Sequence, residues 1–89
     1  MAKAVKFTDE GKKTLQIIHI ENQREIKKAL KELSRDLSMG KALTGRLQGF
    51  YSLRIGKHRP IYSLDGEIII VHVVGHRSDV YENFKYNAK

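Results

Sequence analysis

The sequence predicts an α+β domain: one strand, a two-helix hairpin, a three-stranded antiparallel meander, then a short C-terminal helix or tail. Three observations predict it. Apolar residues recur at helical spacing in the first half, with Ile26, Leu30, Leu33 and Leu37 in one narrow sector at about 100° per residue. Three β-rich runs follow, Phe50 to Ile55, His58 to Leu64 and Glu67 to Val74. Gly56-Lys57 and Asp65-Gly66 separate them as hairpin signals. A chain of 89 residues has room for one core, so residues 1–89 are read as a single domain.

Element by element, Ala4 to Phe7 is the first strand. Thr8 is the N-cap of a helix from about Asp9 to His19, with Asp9 and Glu10 where the helix dipole favours anions. Gly11 weakens its first turns. Asn22 is read as the next N-cap, with Glu25 completing a capping box, and Gly40 stops the second helix. Lys41 to Gln48 is a basic connection, and the meander completes a four-stranded sheet. The last ten or so residues, from near Arg77, form the short helix or tail.

Composition narrows the chemistry. There is no Cys, which excludes a disulfide framework, a thiolate metal site and a Cys nucleophile. No run approaches the roughly 18 apolar residues of a membrane span, and Met1-Ala2-Lys3 leads directly into a strand pattern. A cytoplasmic, non-membrane protein is expected. The net charge of +7 favours polyanionic partners. Arg24, Lys28, Lys31 and Arg35 share the polar sector of the second helix, and Lys41 and Arg46 follow it. This stripe is read either as a solvated face or as a surface that docks on RNA phosphates.

Strand register locates a second cluster. If both hairpins are tight, Arg54 lies opposite Arg59, and Arg59 opposite His72. The hydrogen-bonding parity of the middle strand then conflicts, so one turn is expected to be a four-residue loop, which keeps these pairings. Tyr51, Leu53, Ile55, Tyr62, Leu64, Ile69, Val71 and Val73 then face the helices. Ser52, Arg54, Arg59, Ser63 and His72, with Ile61 and Ile70, face the other way. Facing arginines repel, which points to a bound anion. Pro60 sits awkwardly in this ladder because it cannot donate. Arg77 and Tyr81, four residues apart, would share one side of a helical turn closing over the arginines. Tyr81 is then free to stack on a base or to anchor the chain end.

Three segments resemble the RelE/ParE toxin superfamily: Leu47 to Arg54, Lys57 to Tyr62, and Val74 to Tyr81. The resemblance implies a toxin of a type II toxin–antitoxin pair, neutralised by a RelB-like antitoxin and able to form a toxin–antitoxin heterotetramer. In the RelE-like branch it implies an endoribonuclease that cuts mRNA in the ribosomal A site. No metal and no cofactor is needed there: the ribose 2′-hydroxyl attacks the adjacent phosphate. Position by position, the resemblance assigns catalytic roles to Arg59, Arg77 and Tyr81. Arg54 stands where RelE has a lysine proposed to act on the 2′-hydroxyl proton. Arginine is a poor base, so His76, His72 and Lys57 are the acid–base candidates, while His58 is expected to point coreward. The rival branch is ParE-like and inhibits DNA gyrase. A non-catalytic basic RNA- or ribosome-binding domain is the other alternative. The run from His76 to Tyr81 favours RNA cleavage.

Overall fold

In the computed structural model, which describes residues 3–84, a mixed sheet carries two helices on one face and one short helix on the other. The elements are β1 (Ala4–Phe7), α1 (Asp9–Gln16), α2 (Ile20–Leu33), β2 (Lys41–Ala42), β3 (Tyr51–Ser52), β4 (His58–Asp65), β5 (Ile68–His76) and α3 (Val80–Asn83). The sheet order is β1-β5-β4-β3-β2. β1 runs parallel to β5, and the other pairings are antiparallel. The sheet has five strands rather than four, because Lys41 and Ala42 of the basic connection pair with Ser52 and Tyr51.

Thr8 caps α1 as expected, its hydroxyl accepting the Gly11 N–H at 3.0 Å. Gly11 is there for closeness. A Cβ at this position would overlap the Val71 carbonyl, so its absence lets α1 lie directly on β5. α1 is shorter than expected and ends at Gln16. α2 then starts earlier, capped by His19 rather than Asn22, with His19 Nδ1 accepting the Glu21 N–H at 3.3 Å. It also stops earlier, at Leu33, and Leu37 lies in the 3₁₀ turn that follows. Ile26, Leu30 and Leu33 are all buried, as the periodicity required. They meet Leu15 and the sheet residues Leu53, Ile55, Tyr62, Ile69, Val71 and Val74 in the main core. Tyr62 stacks on Tyr51 with ring centroids 5.5 Å apart, and burial pushes its phenol pKa up to about 12.

Both hairpins have two-residue turns, contrary to the expected four-residue loop. Ile55 bridges to His58 around Gly56-Lys57, and Asp65 pairs with Ile68 around Gly66-Glu67. The second turn sits one residue later than the sequence suggested, which removes the parity conflict. Pro60 is accommodated for a local reason. Its carbonyl accepts the Leu53 N–H at 3.3 Å, so its missing donor faces β3, where the regular ladder already stops at Ser52.

The largest departure is a bulge. The β4–β5 register shifts between Ile61 and Tyr62, pairing Tyr62 with Val71 but Ile61 with Val73, so His72 is the extra residue. Beyond it the faces exchange. Val74, not Val73, joins the helix-side core, and Val73 packs on the opposite face. The Val74 N–H is taken by the Thr14 hydroxyl of α1 at 2.9 Å. The pairing of Arg59 with His72 is therefore corrected: Arg59 faces Gly75, and His58 faces His76.

Candidate active site

The face away from the long helices carries a second, smaller core. Leu47, Phe50, Ile61, Val80 and Phe84 form it, with Leu43, Val73 and Tyr81 packed around them. A Cβ at Gly75 would come within 2.9 Å of Val80, so Gly75 admits α3 onto the sheet and marks the direction of its neighbour Arg59. The chain end is fixed by Arg46. Its Nη1 donates to the Phe84 carbonyl at 3.0 Å and its Nη2 to the Tyr81 carbonyl. Arg46, expected as an RNA contact, is thus engaged in holding α3.

Around this small core stand the predicted catalytic residues. Tyr81 is half-buried and its hydroxyl donates to Ser52 Oγ at 3.0 Å. Ser52 is buried, two residues before the exposed Arg54 and on the same face of the strand. The β3–β4 register, carried on by Leu53 to Pro60 and Ile55 to His58, sets Arg54 across from Arg59, as the sequence predicted. Arg59 Nη1 donates to the carbonyls of Gly56 (2.7 Å) and His58 (2.9 Å), which folds it back over its own turn. Arg77 is exposed, and its backbone N–H donates to the Lys57 carbonyl at 2.8 Å, tying it to that turn. Arg77 precedes α3 instead of sharing a helical turn with Tyr81. Among the described residues the ion pair is Lys3 with Glu67, so no carboxylate neutralises Arg54, Arg59 or Arg77. Lys41 pairs with Ser52 and shares with Tyr81, Leu43 and Leu47 a hollow of about 340 Å³.

The acid–base candidates divide between the faces. His72 stays on the α3 side, where Phe50 meets it edge-on at 5.2 Å. Its Nε2 lies 2.7 Å from Ser63 Oγ, and burial lowers its pKa. His76 leaves this face because of the bulge. It lies on the helix side beside His58, in a cleft also lined by Lys57, Thr14 and Asn22. The pKa of His58 is lowered first by burial, then by His76 and Lys57. Arg24, Lys28, Lys31 and Arg35 are exposed on or just past α2. Ser52, Ser63 and Phe50 were not predicted to matter at the site. The alternation that selected Arg54 also puts Ser52 on its face, but only α3 reveals that it receives Tyr81.

The model of the ParE toxin of type II toxin–antitoxin systems matches residues 5–81, most of the chain. The chain belongs to the RelE/ParE toxin superfamily. No curated protein matches it at a significant level. Among solved structures, this toxin is similar to a chain of the RelBE2 toxin–antitoxin complex of Mycobacterium tuberculosis. The TM-score is 0.80 at 28% identity, covering 86% of this chain and 100% of that one. A chain of the RelB–RelE complex of Methanococcus jannaschii gives 0.68 at 25% identity, covering 89% and 98%. The Pseudomonas aeruginosa ParDE system gives 0.69 at 13% identity, covering 84% and 96%, and shows the shared fold. The match extends across both helices and the whole sheet, so the toxin fold, not only its three short segments, accounts for the resemblance. Among the described residues no helix is long and apolar enough to cross a membrane, and no cluster of side chains is placed to hold a metal.

Proposed function

We propose that this toxin is a ribosome-dependent mRNA endonuclease of the cytoplasm, neutralised by a RelB-like antitoxin in a complex such as a heterotetramer. The observation that carries this reading is the meeting of three separate segments at one hairpin end, on the face Tyr81 occupies. Arg54 and Arg59 oppose each other there, Arg77 is tied to the same turn, and no acidic partner is present among the described residues. Two arginines opposed in register without a carboxylate beside them leave positive charge at this end of the sheet, which a phosphate relieves. Attack of a ribose 2′-hydroxyl on the next phosphate gives a phosphorane of increased negative charge, then a cyclic phosphate and a 5′-hydroxyl. Fixed positive charge stabilises that state more than the starting diester.

Tyr81 offers its ring to a base while Ser52 holds its hydroxyl. Arg54 does not take the proton, and His76 is on the wrong face. Lys41 and Tyr81, which line one hollow, and His72, which stays on the α3 side, are the groups left for proton transfer. The exposed cations of α2 serve docking on ribosomal phosphate.

Replacing Arg59 or Arg77 by Ala is expected to lower the single-turnover rate on programmed ribosomes by about 10²- to 10³-fold. Unchanged rates for both would overturn the proposal. The competing reading, inhibition of DNA gyrase, is favoured by the family model itself, which is that of ParE. Supercoiling assays beside primer extension on a translated message decide between them. Gyrase-trapped DNA breaks with intact message would establish the ParE-like activity.

A further inference from the structure

His76, which the bulge removes from the arginine face, meets His58 and His19 in a cleft on the helix side. We propose that the cleft behind the β3–β4 turn is a phosphate-oxyanion site formed by Lys57, His58, His76 and His19. This cleft, about 440 Å³, lies between the α1–α2 corner and the ends of β4 and β5. It is separate from the arginine cluster and does not depend on the nuclease reading.

Its donor chemistry follows from hydrogen bonds already made. The Ser78 N–H donates to His76 Nδ1 at 3.1 Å, and the Glu21 N–H donates to His19 Nδ1 at 3.3 Å. A ring nitrogen that accepts from a backbone N–H carries no proton. The neutral forms of His76 and His19 therefore hold their proton on Nε2, and each ring offers an Nε2–H donor. Both rings line the cleft with the Lys57 ammonium and the Asn22 amide; Thr14 also lines it, with its hydroxyl already turned to the Glu10 and Gly11 carbonyls. Among the described residues no Asp or Glu lines it. The 14-residue α2 begins at its wall, adding the positive end of a helix dipole. The three imidazoles are not placed to share a metal ion. Ile17, Ile18, Val74 and Gly75 complete the lining, and polar groups that are donors or cations, with no acidic side chain among the described residues, match an oxyanion.

Burial first, then the neighbouring His76 and Lys57, disfavour protonation of His58, and the Glu25 carboxylate opposes them. A bound dianion reverses that balance. Binding then takes up protons, so affinity rises as pH falls. Lys57 is at the tip of the turn whose other face holds Arg59, so a polynucleotide backbone crossing the tip meets both.

The test uses sulfate, whose charge is constant across the range, read by imidazole NMR of the full chain. Saturable shifts of His58 and His76 are expected, with affinity about tenfold higher near pH 5.5 than near pH 8. Lys57→Gln and His76→Gln should each weaken sulfate by at least about fivefold while the fold, checked by thermal melting, is kept. Tyr81→Phe, on the other face, should leave sulfate affinity unchanged. A short oligouridylate that shifts the same imidazoles identifies the phosphate source as RNA; sulfate binding without RNA binding identifies a free oxyanion. Absence of saturable shifts, equal affinity in the Lys57 and His76 variants, or response to an acidic peptide but not to sulfate would each overturn the site.

Discussion

The two faces of the sheet are built differently. The helix side is closed by two helices totalling about six turns, over a core of long aliphatic residues and the buried Tyr62. The other side is closed by a four-residue helix and a 3₁₀ turn over Leu47, Phe50, Ile61, Val80 and Phe84. One face is held by apolar area. The other depends on a few hydrogen bonds, from Arg46 to the carbonyls of Tyr81 and Phe84 and from Tyr81 to Ser52. Stability is concentrated on the first face, and the candidate catalytic groups stand on the second. A functional surface that must admit a large partner is expected to come from the less stable part of a fold.

Truncation should expose the difference most strongly. Ile26→Ala, at a fully buried position, is expected to cost about 2–5 kcal/mol in urea unfolding. Val80→Ala on the other face should cost about 1.6 kcal/mol, two methyl groups at about 0.8 each. Equal losses would show the small core to be as firmly built as the large one. Gly11→Ala comes next, at about 1–3 kcal/mol destabilising, because its methyl must displace the Val71 carbonyl. Helix propensity alone predicts the opposite sign, a gain of about 0.8–1 kcal/mol, so the sign of the measured change separates the two causes.

Tyr81→Phe removes the hydroxyl bond to Ser52 and should lose about 0.5–1.5 kcal/mol, read from the same urea curves. Arg46→Ala is a local test. Amide exchange in α3 should accelerate while that in α2 does not change, since the guanidinium donates to the carbonyls of Tyr81 and Phe84. Uniform acceleration in both helices would refute the separation of the faces.

The smallest expected effect is on pH. His58 and His72 have lowered pKa values in the folded state, so the unfolded chain binds more protons below its ordinary value near 6.5. Their contribution to stability is full above about pH 6.5 and is lost as the pH falls towards their folded-state values. The melting temperature should decline modestly from about pH 7 to about pH 5, and His72→Gln should flatten the slope. An increase in melting temperature over that range would reverse the sign of both shifts.

The helical half was legible because a 3.6-residue period survives any packing: Ile26, Leu30 and Leu33 had to share a face. Helix ends were less so, since His19 outcompeted Asn22 for the cap and Leu37 fell past the last helical turn. The opposition of Arg54 and Arg59 followed from a two-residue turn around Gly56-Lys57, a local feature. The C-terminal segment was only partly readable: α3 is short, and the part of the expected tail at residues 85–89 lies outside the described residues.

By itself the sequence determined the class of fold, the order of its elements, the basic balance and the facing arginines, because each depends on spacing over a few residues. The tertiary structure alone decided the bulge at His72, where β5 must serve β4 on one side and α1 on the other, with Thr14 taking the Val74 N–H. One extra residue exchanged the faces beyond it and sent His76 away from Arg59 and Tyr81. No local pattern encodes that exchange, which is accompanied by a hydrogen bond between residues sixty positions apart.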